Sequence, residues 1–191
     1  MDALTKTMNT ALEKETITGA ELYAMGDIGR TELVRGEIIR LMPTGHPHGY
    51  IEAMIAALLV MFVRKHRLGR VLTGEVGVYT EHDPDTVRGM DVAFISHERL
   101  AQVKSKSYLD VAPELVVEVM SPDDRWSEVQ QKLAEYFAVG VQLIWVVDPR
   151  LEQVHVYRSL TDIDRLTNED NLTGGEVLPG FAVPVAELFA G

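Results

Sequence analysis

Apolar residues in this chain fall into two patterns, short continuous runs and stripes at helical spacing. The clearest run, Leu115-Val116-Val117-Glu118-Val119-Met120, is β-branched and interrupted by one carboxylate. Such runs are strands covered on both faces. The run stops at Ser121-Pro122, after which Trp126, Val129, Leu133, Tyr136 and Phe137 recur at helical spacing and mark a face that packs on the sheet. Leu143 to Val147 is a second fully apolar strand, and Val154 to Tyr157 alternates as an edge or antiparallel strand does. Upstream, Ile51, Met54, Ile55, Leu58, Leu59 and Phe62 give a core helix from about Tyr50 to His66, ended by Gly69.

The remaining elements follow from turn and cap signals. Thr18-Gly19-Ala20-Glu21 has capping-box spacing and opens a short helix. Thr31–Val34 and Glu37–Met42 read as a hairpin joined at Arg35-Gly36, and Val71–Tyr79 and Met90–Ile95 read as strands. Asp162 to Val177 reads as a further hairpin, Leu178 to Phe181 as a turn and Val185–Phe189 as a terminal helix. This order predicts an α/β (α+β) fold: a mixed central sheet flanked by helices, with an N-terminal hairpin and additional C-terminal strands. Residues 17–191 form one domain behind a loosely held arm at 1–16.

At 191 residues the chain suits one domain with a sizeable core. The amino end, MDALTKTMNTALEKE, has no cleavable signal pattern. Tyr50 to Val63 is too short to span a bilayer and runs into Arg64-Lys65-His66-Arg67. The absence of cysteine excludes disulfides, thiolate metal sites and cysteine nucleophiles, and it fits a cytoplasmic protein. A formal charge of -11 opposes non-specific binding to a polyanion, so a nucleic-acid partner requires a local basic surface or metal ions.

Two carboxylates change the picture. Glu118 sits in the run just described, and an ionised carboxylate there is costly unless a metal, a cation or several hydrogen bonds compensate it. Asp91 is its counterpart in Gly89-Met90-Asp91-Val92-Ala93-Phe94-Ile95, where alternation puts Asp91 with Ala93 and Ile95 on one face. On neighbouring strands the two make an oxygen site suited to magnesium. The bland alternative is a turn cap, or pairing with an arginine such as Arg88. Lys132 falls on the flank of the helix stripe, from where its ammonium reaches the strand's end near Glu118. Its bland alternative is an i,i+4 pair with Glu128, worth about 0.3–0.5 kcal/mol. Arg64 to Arg70 is the strongest positive patch, His46 and His48 are a weak zinc signal without a third histidine, and Trp126 and Trp145 are most simply core. The common nucleotide-binding, serine-hydrolase and zinc-protease strings are absent.

Taken in order, these strings resemble the Uma2 family, restriction-type endonucleases of the PD-(D/E)XK superfamily. They run from Glu32-Leu33-Val34-Arg35-Gly36-Glu37-Ile38, through Pro43-Thr44-Gly45 with His48-Gly49, to Asp91-Val92-Ala93-Phe94. Glu118-Val119-Met120-Ser121-Pro122 with Asp124, Lys132-Leu133 and Tyr136 follow, then Gly140-Val141, Trp145 to Pro149 and Leu178 to Phe181. The resemblance covers about residues 17–190 and implies a restriction-endonuclease-like core. It matches Asp91 to the strand aspartate and Glu118 to the (D/E) position. The proline before the aspartate is replaced by Met90. The lysine expected at Met120 is moved to Lys132 on the next helix. Glu37 and His48 also match the pattern and join the candidate site.

What the resemblance implies is a Mg²⁺- or Mn²⁺-dependent endonuclease acting on DNA, as a homodimer so that both strands are cut. Asp91, Glu118 and the backbone carbonyl of Val119 would hold the metal, and Lys132 would orient water or stabilise the transition state. Two other functions compete. The acidic balance favours a catalytically silent nuclease-fold module that binds nucleic acid or protein. A carboxylate–metal enzyme on a small phosphorylated substrate also accounts for the acidity but has no phosphate loop behind it.

Overall fold

A computed structural model of the chain describes residues 16–122 and 124–190. The arm expected at 1–16 lies, except for Thr16, outside them. The described elements are α1 (Gly19–Ala24), β1 (Thr31–Val34), β2 (Glu37–Arg40), α2 (His46–His66), β3 (Gly69–Glu81), β4 (Thr86–Ser96) and α3 (His97–Leu100). They continue with β5 (Leu115–Val119), α4 (Trp126–Ala138), β6 (Leu143–Asp148), β7 (Gln153–Tyr157), β8 (Ile163–Leu166), β9 (Asn171–Gly174), β10 (Leu178–Pro184) and α5 (Val185–Phe189).

Eight strands form one sheet in the order β2-β1-β4-β5-β6-β7-β8, with β3 paired to β4 off that path. Among the described strands only β5 and β6 pair in parallel, and α4 is the crossover between them. The arrangement is therefore a mostly antiparallel mixed sheet flanked by helices. The β1–β2 turn carries Arg35 and Gly36 at φ 49° and 76°, the double positive φ of a hairpin turn whose twist matches its strands.

The sheet's two faces carry separate cores. On one, Val92, Phe94, Leu115, Val117, Trp145, Val147, Val154 and Val156 pack under α2, α5 and the β9–β10 pair. On the other, Val116, Ile144, Val146 and Tyr157 meet Val129, Leu133 and Tyr136 of α4. The continuous apolar runs of β5 and β6 are explained by this double covering.

Several expectations change. Trp126 is 40% exposed rather than core, because it opens α4 before the helix settles on the sheet. The segment from Asp162 is not one hairpin: β8 joins β7, whereas β9 pairs with β10 in a separate two-stranded sheet. Residues 178–181 belong to β10 instead of a turn. Ala93 packs beneath α4, yet Asp91 does not share that environment and reaches α2 instead. Opposite Asp91, Gly74 and Glu75 form a bulge in β3 at positive φ, and a bulge strengthens local twist and breaks simple alternation.

Helix α2 starts four residues earlier than the apolar stripe indicates and is long and apolar enough, by length and composition, to span a bilayer. Ile51, Ile55, Leu59 and Val63 nevertheless bury against the sheet, which makes it a core helix. Replacing Leu59, fully buried, by alanine is expected to cost about 2–5 kcal/mol of unfolding free energy. Met61→Ala, two residues on at a 71% exposed position, should stay within about 0.5 kcal/mol; denaturant titration of both variants checks the orientation of α2.

Candidate active site

One edge of β4 pairs with β3 almost throughout. The other edge is shared end to end: β1 pairs at Val87, and β5 pairs from Val92 to Phe94. Between them the ladder is interrupted, and buried backbone groups there need other partners. Side chains supply them. Glu32 of β1, 4% exposed, accepts the Gly89 N–H at 3.3 Å, and Asp91 accepts the Val119 N–H at 2.7 Å. The Tyr136 hydroxyl lies 3.3 Å from the Gly89 carbonyl oxygen.

Two clusters of charge meet at this gap. On the α4 side, Lys132 Nζ lies 2.7 Å from Glu32 and 3.6 Å from Glu118, while Tyr136 Oη is 2.7 Å from Glu118 Oε1. Arg88 bridges Glu32 at 2.8 Å and Glu135 at 2.6 Å, so it does not neutralise the expected carboxylates. On the α2 side, His48 Nε2 lies 3.3 Å from Asp91, with Glu52 one helical turn along, and Glu75 of the β3 bulge pairs with Arg30. The ligand atoms of His48, Glu52 and Asp91 lie within 4.8 Å of one another.

The structure thus brings Asp91, Glu118, Lys132 and His48 together at the gap in the β4 edge, with Asp91 facing α2 and Glu118 facing α4. Val119 presents its N–H to Asp91. Glu37 opens β2 at an exposed position opposite Val34, and the neighbouring Gly36 N–H bonds to the carbonyl of Asp85, the residue before β4. Among the described residues the glutamate of that hairpin that enters the cluster is Glu32. Lys132 takes Glu32 and Glu118 in place of the Glu128 pair. Glu52, Glu75 and Arg30 are unmarked in the sequence, Glu32 enters it only within the family string, and Arg88 only as a partner for Asp91 or Glu118. For Glu52 a signal existed: with His48 it forms an i,i+4 pair on one helix face. The Arg64–Arg70 patch lies at the other end of α2, about 25 Å from His48 by helix rise.

Six carboxylates (Glu32, Glu52, Glu75, Asp91, Glu118, Glu135) therefore face Arg30, His48, Arg88 and Lys132 among the described residues. The excess negative charge appears in the proton affinities. Burial pushes Glu118 up to about 8; Lys132 opposes this, and Asp91 adds to it. Burial and the charge of Asp91 raise Glu75 to about 7. Asp91 itself is held below the usual carboxylate range: burial works against this, but the bond and charge of His48 and the Val119 N–H prevail. For Lys132 burial favours the neutral amine, and the Glu118 and Glu32 carboxylates more than reverse it, so the ammonium persists at neutral pH. His48 is likewise raised: burial lowers it and Asp91 overcomes that. A neutral Glu118 can donate to Tyr136 Oη, freeing the tyrosine proton for the Gly89 carbonyl.

The donor set fits a divalent cation. It combines carboxylates with one buried imidazole whose Nδ1 has no hydrogen-bond partner, and its surplus negative charge is what a cation would relieve. A separate cleft of about 720 Å³ lies between the end of β3, α3 and the C-terminal end of α4; none of the clustered residues lines it.

The Uma2 family model, described as "Putative restriction endonuclease", matches residues 20–186. Among solved structures, the chain is similar to one described as a putative nuclease belonging to DUF820 from Anabaena variabilis ATCC 29413, with a TM-score of 0.75 and 20% identity. The alignment covers 91% of this chain and 97% of that one, and at this identity it establishes the fold. No curated protein matches.

A pH consequence follows for the metal-free protein. Glu118 and Glu75 have folded pKa values above their unfolded ones, so their stabilising contribution is complete below about pH 4.5 and is lost as pH rises through about 7 and 8. Unfolding free energy is expected to fall by several kcal/mol between about pH 5 and 8.5. Glu118→Gln should flatten most of that slope in denaturant titrations across this range; an unchanged slope would place the titrating group elsewhere.

Proposed function

This chain belongs to the Uma2 family, and from that membership together with the site's geometry we propose that it is a divalent-metal-dependent endonuclease hydrolysing phosphodiester bonds in DNA. The observation that carries the reading is the gap in the β4 edge, where Asp91 with His48 and Glu118 with Lys132 meet. Asp91, Glu118, His48 and Glu52 are the residues that would hold Mg²⁺ or Mn²⁺, with the Val119 carbonyl as a further oxygen. When bound, the ion supplies charge neutralisation on the phosphate and a lowered pKa for a coordinated water.

The protein's own groups divide the remaining work. Lys132 stays cationic and is fixed by Glu32, so its ammonium is preorganised toward charge that develops on a phosphate oxygen. That protonation state makes it an electrostatic stabiliser and not a general base. Glu32 and Arg88 are positioning residues: they hold Lys132 and Glu135 and complete the broken ladder. Tyr136 orients Glu118 from the α4 side. Cutting both strands of a duplex would call for a second copy of the chain, and cytoplasmic location fits the lack of cysteine.

The second reading is a binding module without catalysis, favoured by the distance of the Arg64–Arg70 patch from the site. A plasmid-cleavage assay separates the two. Nicking or linearisation is expected with Mg²⁺ or Mn²⁺, abolished by chelation, and reduced about 100-fold or more by Asp91→Ala and by Lys132→Ala. Equal cleavage by wild type and both variants would remove the assignment. Absence of cleavage in all three, with DNA retained in a gel shift, would establish the binding module.

A further inference from the structure

The register of the sheet links Glu118 to a part of the molecule not used above. Glu118 pairs with Val146, Val146 with His155, and His155 with Arg165. These four residues stand in one row across β5, β6, β7 and β8. Three strand spacings put Arg165 about 14 Å from Glu118. They also share a face: Val116, Val146 and Tyr157, of the same alternation, pack on the α4 side.

Helix α4 covers the inner part of that face and leaves its outer part as a ledge. Trp126, in the first turn of α4, forms the ledge's wall; it is 40% exposed and meets the His155 ring edge-on at 5.3 Å. Ile163 is 44% exposed and Arg165 is exposed on β8. Asp164, the acid nearest to Arg165 in sequence, alternates onto the other face and is held by Arg158 at 2.7 Å. Arg125, the residue before Trp126, and Arg150, in the turn between β6 and β7, are also exposed. In a chain of net charge -11, Arg165 is an exposed cation on the same sheet face as a partly exposed indole, although Asp148 also acts on His155.

We propose that this ledge is a docking track for a single nucleic-acid strand running away from Glu118, with a base stacked on Trp126 and a phosphate held by Arg165. The inference rests on the nuclease reading for its direction and purpose. The chemistry that selects the occupant is local: an exposed indole offers a sequence-independent stacking surface, and arginine on an otherwise acidic molecule is complementary to a phosphate backbone. Continuity with the site through the Glu118–Val146–His155–Arg165 row places the track where a strand bound at the cluster would continue. Together the stacked base and the paired phosphate orient the strand's backbone relative to the cluster.

The test uses the full chain and a fluorescent 12-nucleotide oligo(dT) at low salt in Ca²⁺, read by anisotropy and by tryptophan emission. Trp145 is fully buried, so any quenching by the oligonucleotide reports Trp126. Wild type is expected to bind with quenching, Trp126→Ala to bind roughly tenfold more weakly, and Trp126→Phe to retain most affinity without the quench. Arg165→Ala should weaken binding several-fold and reduce the salt slope by about one. Each position is at the surface, and thermal melts of the variants should match wild type. Binding unaltered by Trp126→Ala and Arg165→Ala, or absent in wild type, overturns the track. So does a Trp126-dependent dimer without oligonucleotide binding, which would give the ledge to a second copy of the chain. Plasmid cleavage that survives in both variants at wild-type rates sinks the track and leaves the nuclease standing. Oligonucleotide binding with these losses, but no cleavage, keeps the track and sinks the nuclease.

Discussion

The constraint on which the site depends is the interrupted edge of β4. A strand whose edge is paired by β1 at Val87 and by β5 only from Val92 leaves backbone groups without ladder partners. Buried amides and carbonyls cannot be left unpaired at a cost below a few kcal/mol. Glu32, Asp91 and Tyr136 meet that demand from three elements. Because two of the three are carboxylates, the same substitution that repairs the ladder concentrates negative charge in a poorly solvated place. Structural need and chemical potential arise together.

Charge balance then explains the rest of the cluster. Arg88 and Lys132 are drawn in from β4 and α4, and His48 and Arg30 approach from α2 and the loop before β1. Even so, carboxylates outnumber cations among the described residues, and the surplus is relieved by protonation at Glu118 and Glu75 or by a bound cation. On the proposed metal reading, protons and the ion would compete at Glu118, and ion binding would strengthen as pH rises. This also accounts for Lys132: an ammonium between two buried carboxylates has every reason to keep its proton. The β3 bulge contributes by turning Glu75 toward Asp91 at a point where a regular strand would place no second acid.

Local pattern was a good guide wherever a residue's environment is set by its own strand or helix. The runs at β5 and β6, the α4 stripe of Val129, Leu133 and Tyr136, and the capping box at Thr18 were legible because burial on one or both faces imposes a period. Asp91 and Glu118 stood out for the same reason, as charges inside apolar strands. The patterns misled where a neighbour decides the outcome. Trp126 carries the α4 period but lies beyond the sheet area that the helix covers. The residues around Leu178 look like a turn, yet β9 supplies a partner that makes them a strand.

By itself the sequence determined the alternation of strands and helices, the double-covered central sheet, the family, and which carboxylates and lysine were worth following. These are properties of periodicity and residue type, which a chain carries in linear form. The tertiary structure alone decided that Glu32 is buried in the cluster while Glu37 is exposed on the edge strand, that His48 and Glu52 join Asp91, and that Arg88 serves Glu32 and Glu135. It also decided that Asp91 and Glu118 look toward opposite layers of one gap. The physical reason is that each of these depends on how β1 and β5 share an edge of β4 and on a bulge in β3, and pairing across such distances leaves no periodic mark on either partner.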